Sequence, residues 1–91
     1  MAESCTIKVK IVNRLGLHAR PAMSFVDLAS TFPCAVKVRK GDTEVDGKSI
    51  MQMMMLAASK DSELEVTADG EGAEKACKAL RALVEGGFDE E

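Results

Sequence analysis

The chain has one histidine, His18, and an arginine follows two residues later in the run Asn13-Arg14-Leu15-Gly16-Leu17-His18-Ala19-Arg20-Pro21-Ala22. An imidazole has an ordinary pKa of about 6.5, so near neutral pH one ring nitrogen offers a lone pair as a nucleophile. Attack on a phosphoryl donor gives a phosphoramidate, which keeps enough transfer potential to phosphorylate a second protein. Arg20 can offer a planar, bidentate fork to the phosphoryl oxygens and offset their charge. The chemistry open to the pair is a phosphoryl relay. A surface histidine beside an arginine is commonplace, so what decides is how the pair is placed.

Gly16 permits a sharp backbone turn, and Pro21 fits only the first turn of a helix, where its missing N–H breaks no bond. His18 therefore lies at or just before a helix start, with the first helical residue anywhere from Ala19 to Pro21. There, unpaired backbone N–H groups and the positive end of the helix dipole favour an anion and a neutral ring.

The elements that must hold this turn are legible as periods. Thr6-Ile7-Lys8-Val9-Lys10-Ile11 alternates with Ile7, Val9 and Ile11 on one face, as in a half-buried strand. Cys34, Val36 and Val38 keep that period. Lys40-Gly41-Asp42 then supplies a turn before Thr43-Glu44-Val45, which makes a hairpin. Leu64, Val66 and Ala68 give a fourth strand of the same one-sided kind. Between them, Ala22, Phe25, Val26 and Ala29 follow a helical period, as do Ala73, Ala76, Cys77, Leu80 and Val84. Glu71 and Glu74 early and Lys75, Lys78 and Arg81 late suit the dipole of the last helix, which Gly86-Gly87 ends. A shorter helix runs from Ser49 as N-cap through Ile50 to about Leu56 or Ala58. The order βαββαβα predicts an α+β fold, an open-faced two-layer sandwich in which three helices cover one face of a four-stranded antiparallel sheet. The acidic tail Phe88-Asp89-Glu90-Glu91 is expected to fray in solvent.

Ninety-one residues read as one domain spanning residues 1–91, and 46% apolar with 30% charged residues fit an ordinary globular chain. The core is aliphatic: Trp and Tyr are absent and Phe occurs only at 25, 32 and 88. A net charge of −3 argues against nucleic acid, which calls for a cationic footprint. No apolar run is long enough to insert in a membrane, and Met1-Ala2-Glu3-Ser4 lacks a basic leader, so the expected location is the cytoplasm. Cys5, Cys34 and Cys77 are odd in number, far apart and without CxxC spacing. That pattern points to reduced, partly buried thiols rather than a disulfide framework or a zinc site.

Gly16-Leu17-His18-Ala19-Arg20-Pro21-Ala22, followed some thirty positions later by Lys48-Ser49-Ile50-Met51, closely resembles the HPr family, the histidine-containing phosphocarriers of the bacterial phosphotransferase system. The resemblance covers nearly the whole chain. It implies a cytoplasmic carrier, not an enzyme, with no metal and no cofactor. Phosphorylated enzyme I, charged from phosphoenolpyruvate, would phosphorylate Nδ1 of His18, and an enzyme IIA would receive the group. Arg20 would steady the phosphate. The resemblance also implies a monomer that docks its partners through the start of the short helix, here Lys48, Ile50, Met51 and Met54.

Ser49 matches the family's regulatory serine, which in many members an ATP-dependent HPr kinase/phosphorylase modifies and regulators read. A phosphate there gains from the helix dipole, and its charge of about −1.5 to −2 would repel an acidic partner. A plain N-cap worth about 1 kcal/mol is the equally available reading. In Ile50-Met51-Gln52-Met53-Met54-Met55-Leu56, a core stripe of Ile50, Met53 and Ala57 leaves Met51 and Met55 outward, with Met54 at the margin. Flexible thioethers suit a surface that fits several partners in turn, and they equally fill gaps in an aromatic-poor core. The chain departs from the family where the first helix carries Asp27 and Ser30 in place of basic residues and where Gln52 replaces a common Gly. Steering then rests on Arg20, Lys48 and Arg14. Three classes follow: a carrier for sugar transport, a regulatory module of the same fold not coupled to transport, and a small acyl-phosphate hydrolase. The last is disfavoured because no carboxylate or hydroxyl adjoins His18 in sequence to pair with it.

Overall fold

Each period-two segment forms a strand and each helical period a helix, in the order read above. The structure, a computed structural model, describes residues 3–89. The strands are β1 (Ser4–Lys10), β2 (Ala35–Lys40), β3 (Thr43–Asp46) and β4 (Glu63–Asp69). The helices are α1 (Ala19–Ala29), α2 (Ile50–Met55) and α3 (Ala73–Glu85). All neighbouring strands are antiparallel, in the order β1-β4-β2-β3. The last strand in sequence thus lies inside the sheet, between the first two, and α1 is the crossover that carries the chain from β1 to β2.

Alternation produces the two layers. Val9, Val36, Val38, Val45, Leu64, Val66 and Ala68 turn to the helices and are buried. Lys8, Lys10, Lys37, Arg39, Glu44 and Glu63 face solvent on the other side, where Arg39 pairs with Glu65 at 2.8 Å. The helices answer with narrow apolar stripes: Ala22, Phe25 and Ala29 from α1, and Ala73, Ala76, Cys77, Leu80 and Val84 from α3. Small residues on these stripes let the helices approach closely, and fully buried Phe25 fills the space they leave, a burial worth roughly 2 to 3 kcal/mol. The β2–β3 hairpin closes in two residues, Gly41 and Asp42, with Gly41 at φ +59° as a glycine-first hairpin turn requires.

Several boundaries and two burials differ from expectation. β1 is shifted two residues toward the N-terminus at its start and ends at Lys10, and β2 starts at Ala35. Glu71 precedes α3, because Gly72 takes the N-cap in a left-handed conformation. Ala57, expected in the core, is exposed. α2 ends at Met55, and Ala57 turns the chain out at φ +49°, so Leu56 and Ala58 take the buried places instead. Lys40 Nζ donates to the carbonyls of Leu56 and Ala57 at 3.4 Å each, holding this helix end. Phe88, expected to fray, is 6% exposed. Beyond α3 the chain enters a left-handed turn over Gly87–Asp89 that folds Phe88 inward and brings Gly87 against Val12 and Asn13. Glu90 and Glu91 of that tail lie outside the described residues. Among the described residues no helix is long and apolar enough to cross a membrane.

Candidate functional site

The segment between β1 and α1 is held from below by the loop after α2. Gly16 sits at φ +69°, and a Cβ on it would stand 2.5 Å from the Ala58 carbonyl oxygen. Next to it, the Leu17 N–H donates to that same oxygen at 2.8 Å, while the Leu17 side chain is buried. The Gly16 N–H donates to Asn13 O at 3.2 Å, and buried Asn13 returns Nδ2 to Gly16 O at 2.8 Å. Gly16 O also accepts the His18 N–H at 3.0 Å. The turn is therefore pinned on both sides of Gly16 before the chain reaches His18.

His18 is the N-cap of α1, at φ −83° and ψ −170°, and its carbonyl accepts the Ala22 N–H at 3.0 Å. The first helical residue is Ala19, the early end of the range the proline allows, and Pro21 falls in the first turn. At a helix start the N–H groups of Ala19 and Arg20 have no acceptor within the helix, and Pro21 has none to offer. His18 is half-buried, and Ala19 and Arg20 are exposed. His18 and Arg20 line one open hollow with Leu15, Met23, Ser24 and Asp27. An anion seated in this hollow would meet backbone donors and the dipole at its floor and a guanidinium at its side.

The structure thus brings His18 and Arg20 together and adds residues that the periods did not single out. Leu15 is 66% exposed and Met23 55%, forming an apolar margin to the hollow. Met23 stands off the core stripe of α1, which is the signal that marks it, whereas Leu15 lies in the turn before the helix. Ser24 and Asp27 reach the hollow from the next turns of α1, so a hydroxyl and a carboxylate do converge near the histidine in space.

Ser49 is the N-cap of α2, and its Oγ accepts the Gln52 N–H at 3.3 Å. Gln52 Oε1 in turn accepts the Asp46 N–H at 2.9 Å, which gives the amide a structural task at the start of this helix. Met53 is fully buried as a core filler, whereas Met51, Met54 and Met55 are 79%, 44% and 72% exposed. Ile50 is half-buried against the core. Lys48 is anchored away from solvent at its tip: Nζ donates to Phe32 O at 2.7 Å, and its own N–H donates to Asp46 Oδ1 at 2.9 Å. Among the described residues no group of three or more His, Cys, Asp or Glu side chains is arranged to hold a metal ion.

A family model for the PTS HPr component phosphorylation site matches residues 5–86. Phosphocarrier protein HPr of Pseudomonas aeruginosa is 47% identical over 85 residues, which cover 92% of this chain and 94% of that protein. Phosphocarrier protein NPr of Escherichia coli K12 is 40% identical over 84 residues, covering 91% and 93%. The crystal structure of HPr-C-His from Thermoanaerobacter tengcongensis superposes with a TM-score of 0.92 at 41% identity, covering 96% of this chain and 98% of that one. With sequence and fold in agreement over nearly its whole length, the chain belongs to the HPr family of phosphotransferase-system phosphocarriers.

Proposed function

We propose that the chain accepts a phosphoryl group on Nδ1 of His18 from phosphorylated enzyme I, itself charged from phosphoenolpyruvate, and passes it to an enzyme IIA in the cytoplasm. The observation that carries this reading is the placement of His18 as the N-cap of α1, in an open hollow shared with Arg20. The ring nitrogen attacks phosphorus; the new N–P bond forms as the bond between phosphorus and enzyme I breaks. Backbone N–H groups and Arg20 take the charge on the phosphoryl oxygens during that exchange. A partner settles on the exposed apolar side chains at the hollow, Leu15 and Met23, and on those of α2, Met51 and Met54, with Ile50 packed against the core. Lys48 shapes the entry to α2 through Phe32 and Asp46, which leaves Arg20 and Arg14 as the charges for steering.

Incubation with phosphoenolpyruvate and the enzyme I of its own organism tests the proposal. One phosphate per chain, on the Nδ1 nitrogen by phosphorus NMR and intact mass, is the expected product. Release of inorganic phosphate over many turnovers from an acyl phosphate would instead support the hydrolase reading.

Arg20→Ala is expected to slow transfer from phospho-enzyme I by about 100-fold, the usual cost of one preorganised donor to a transferring group. Because Arg20 is exposed, its loss should change stability by no more than about 0.5 kcal/mol. Rapid-quench measurement of transfer decides it, and an unchanged rate removes Arg20 from the mechanism.

A second reading, in which the same relay serves regulation and not sugar uptake, is favoured by α1: after Arg20 that helix has no basic residue, and Asp27 faces the hollow. Ser49 is then a site for an ATP-dependent HPr kinase/phosphorylase. Ser49→Ala should cost about 1 kcal/mol of stability in urea, as loss of an N-cap does, and should abolish kinase labelling. Labelling that persists in the variant, or none in the wild type, confines Ser49 to capping.

A further inference from the structure

Cys5 and Cys77 stand 72 positions apart, yet the fold sets them face to face. Cys5 lies on the helix-covered side of β1 with Ile7 and Val9, and Cys77 belongs to the buried stripe of α3 that packs over that strand. Cys77 Sγ donates to the Cys5 carbonyl oxygen at 3.4 Å, which sets the buried thiol against the backbone of Cys5. Their exposures differ. Cys77 is 2% exposed, whereas Cys5 is half-buried and opens to solvent. Both line a cleft of about 500 Å³ whose margin carries Lys75, Lys78 and Arg81 against one carboxylate, Glu74. Arg81 is partly engaged with Glu85 at 4.0 Å. Cys5 lies near the N-terminal end of β1, and the His18 turn follows its other end, so this cleft is separate from the phosphoryl hollow.

We propose that Cys5 and Cys77 form a thiol–disulfide exchange site whose substrate is a small anionic disulfide of the glutathione class. Cys5, as thiolate, attacks one sulfur of the small disulfide. A mixed disulfide forms on Cys5, and the other half leaves as a thiolate. Cys77 then gives up its proton and attacks the Cys5 sulfur. The S–S bond between Cys5 and Cys77 forms, and the second half leaves. Two protein thiols are oxidised, one small disulfide is reduced to two thiols, and the two protons end on those products.

The asymmetry of the pair sets the order. Burial, and next the hydrogen bond with Cys5, pushes the Cys77 thiol up to about 12, so it is Cys5 that meets the reagent. Conversion of Cys5 to a mixed disulfide removes the neighbouring thiol that helps hold Cys77 protonated. The lysines and arginine at the margin attract the carboxylates of a glutathione-like reagent and do nothing for an uncharged one.

The test is incubation of the whole chain with oxidised glutathione in mildly alkaline buffer, followed by intact mass and peptide mapping. Loss of two hydrogens and a peptide linking Cys5 to Cys77 are expected. Cys5→Ser should abolish that product, and Cys34→Ser should leave it unchanged. Lys78→Glu should slow the reaction about threefold with oxidised glutathione and leave the rate with uncharged 2-hydroxyethyl disulfide unaltered. No reaction, a persistent glutathione adduct without the internal bond, a link through Cys34, or equal slowing with both reagents overturns the proposal.

Discussion

His18→Ala is expected to leave a folded protein that carries no phosphate at all. The chain has no other imidazole, and no other nitrogen in the hollow is nucleophilic at neutral pH, since the Arg20 guanidinium stays protonated. The loss should therefore be complete, unlike the partial loss at Arg20, which only weakens an interaction with the transferring group. Stability should change by less than about 1 kcal/mol, because the imidazole is only half-buried. Ser24 and Asp27 are the groups that could undermine this expectation, as both line the same hollow. Their phosphates are chemically distinct from a phosphoramidate, which is labile in acid and survives alkali. The measurement is transfer from phosphoenolpyruvate through enzyme I to wild type and variant, each followed by phosphorus NMR and acid treatment. Any stoichiometric phosphate on the folded variant would move the acceptor away from His18.

The residues that place His18 were legible because each carries a local physical constraint. Pro21 cannot sit beyond a first helical turn and Gly16 marks a turn, so the two together bracket the histidine at the start of α1, where it lies. The strands were legible for a similar reason, since one wet face forces a period of two. The sheet order was not. Nothing local to Glu63–Asp69 says that it inserts between β1 and β2, because that choice is made by long-range pairing. Burial at chain reversals also escaped: Ala57 and Phe88 both adopt positive φ, a conformation that their types do not announce, and each thereby reverses the side its side chain faces. Lys48 looked like a steering charge until the α1–β2 loop supplied the Phe32 carbonyl that holds it. The nearness of Cys5 and Cys77 is likewise a property of α3 lying over β1, invisible in their spacing.

Gly16→Ala is expected to cost about 2 to 5 kcal/mol and to depress phosphoryl transfer further than the lost stability explains. The first contribution is conformational: an L-residue held near the Gly16 φ of +69° is less favourable by about 1 to 2 kcal/mol. The second is steric, because the new Cβ would meet the Ala58 carbonyl oxygen at 2.5 Å and Ser59 Cα at 2.8 Å. Both are backbone atoms, so no rotamer change relieves the overlap, and forced shifts of this kind cost about 1 to 3 kcal/mol. A chain of this length has roughly 5 to 14 kcal/mol of stability, so the variant should still fold in the cold. It can do so only by moving the turn away from the loop after α2. That movement breaks the bond from Leu17 N–H to Ala58 O and lifts Leu17 from the core, and His18 is the next residue. The ring then lies off its approach to phosphorus, and misplacement by about 1 Å can cost on the order of 100-fold in rate. Gly41→Ala provides the control: Gly41 also has positive φ, +59°, but nothing lies within 4 Å of its added Cβ. It should show the conformational cost alone and keep a normal transfer rate. Urea unfolding of both variants, with transfer measured at a temperature where each is fully folded, separates the two effects. Equal destabilisation of the two variants, or a normal transfer rate in Gly16→Ala, would show that the Ala58 carbonyl is not what holds the histidine in place.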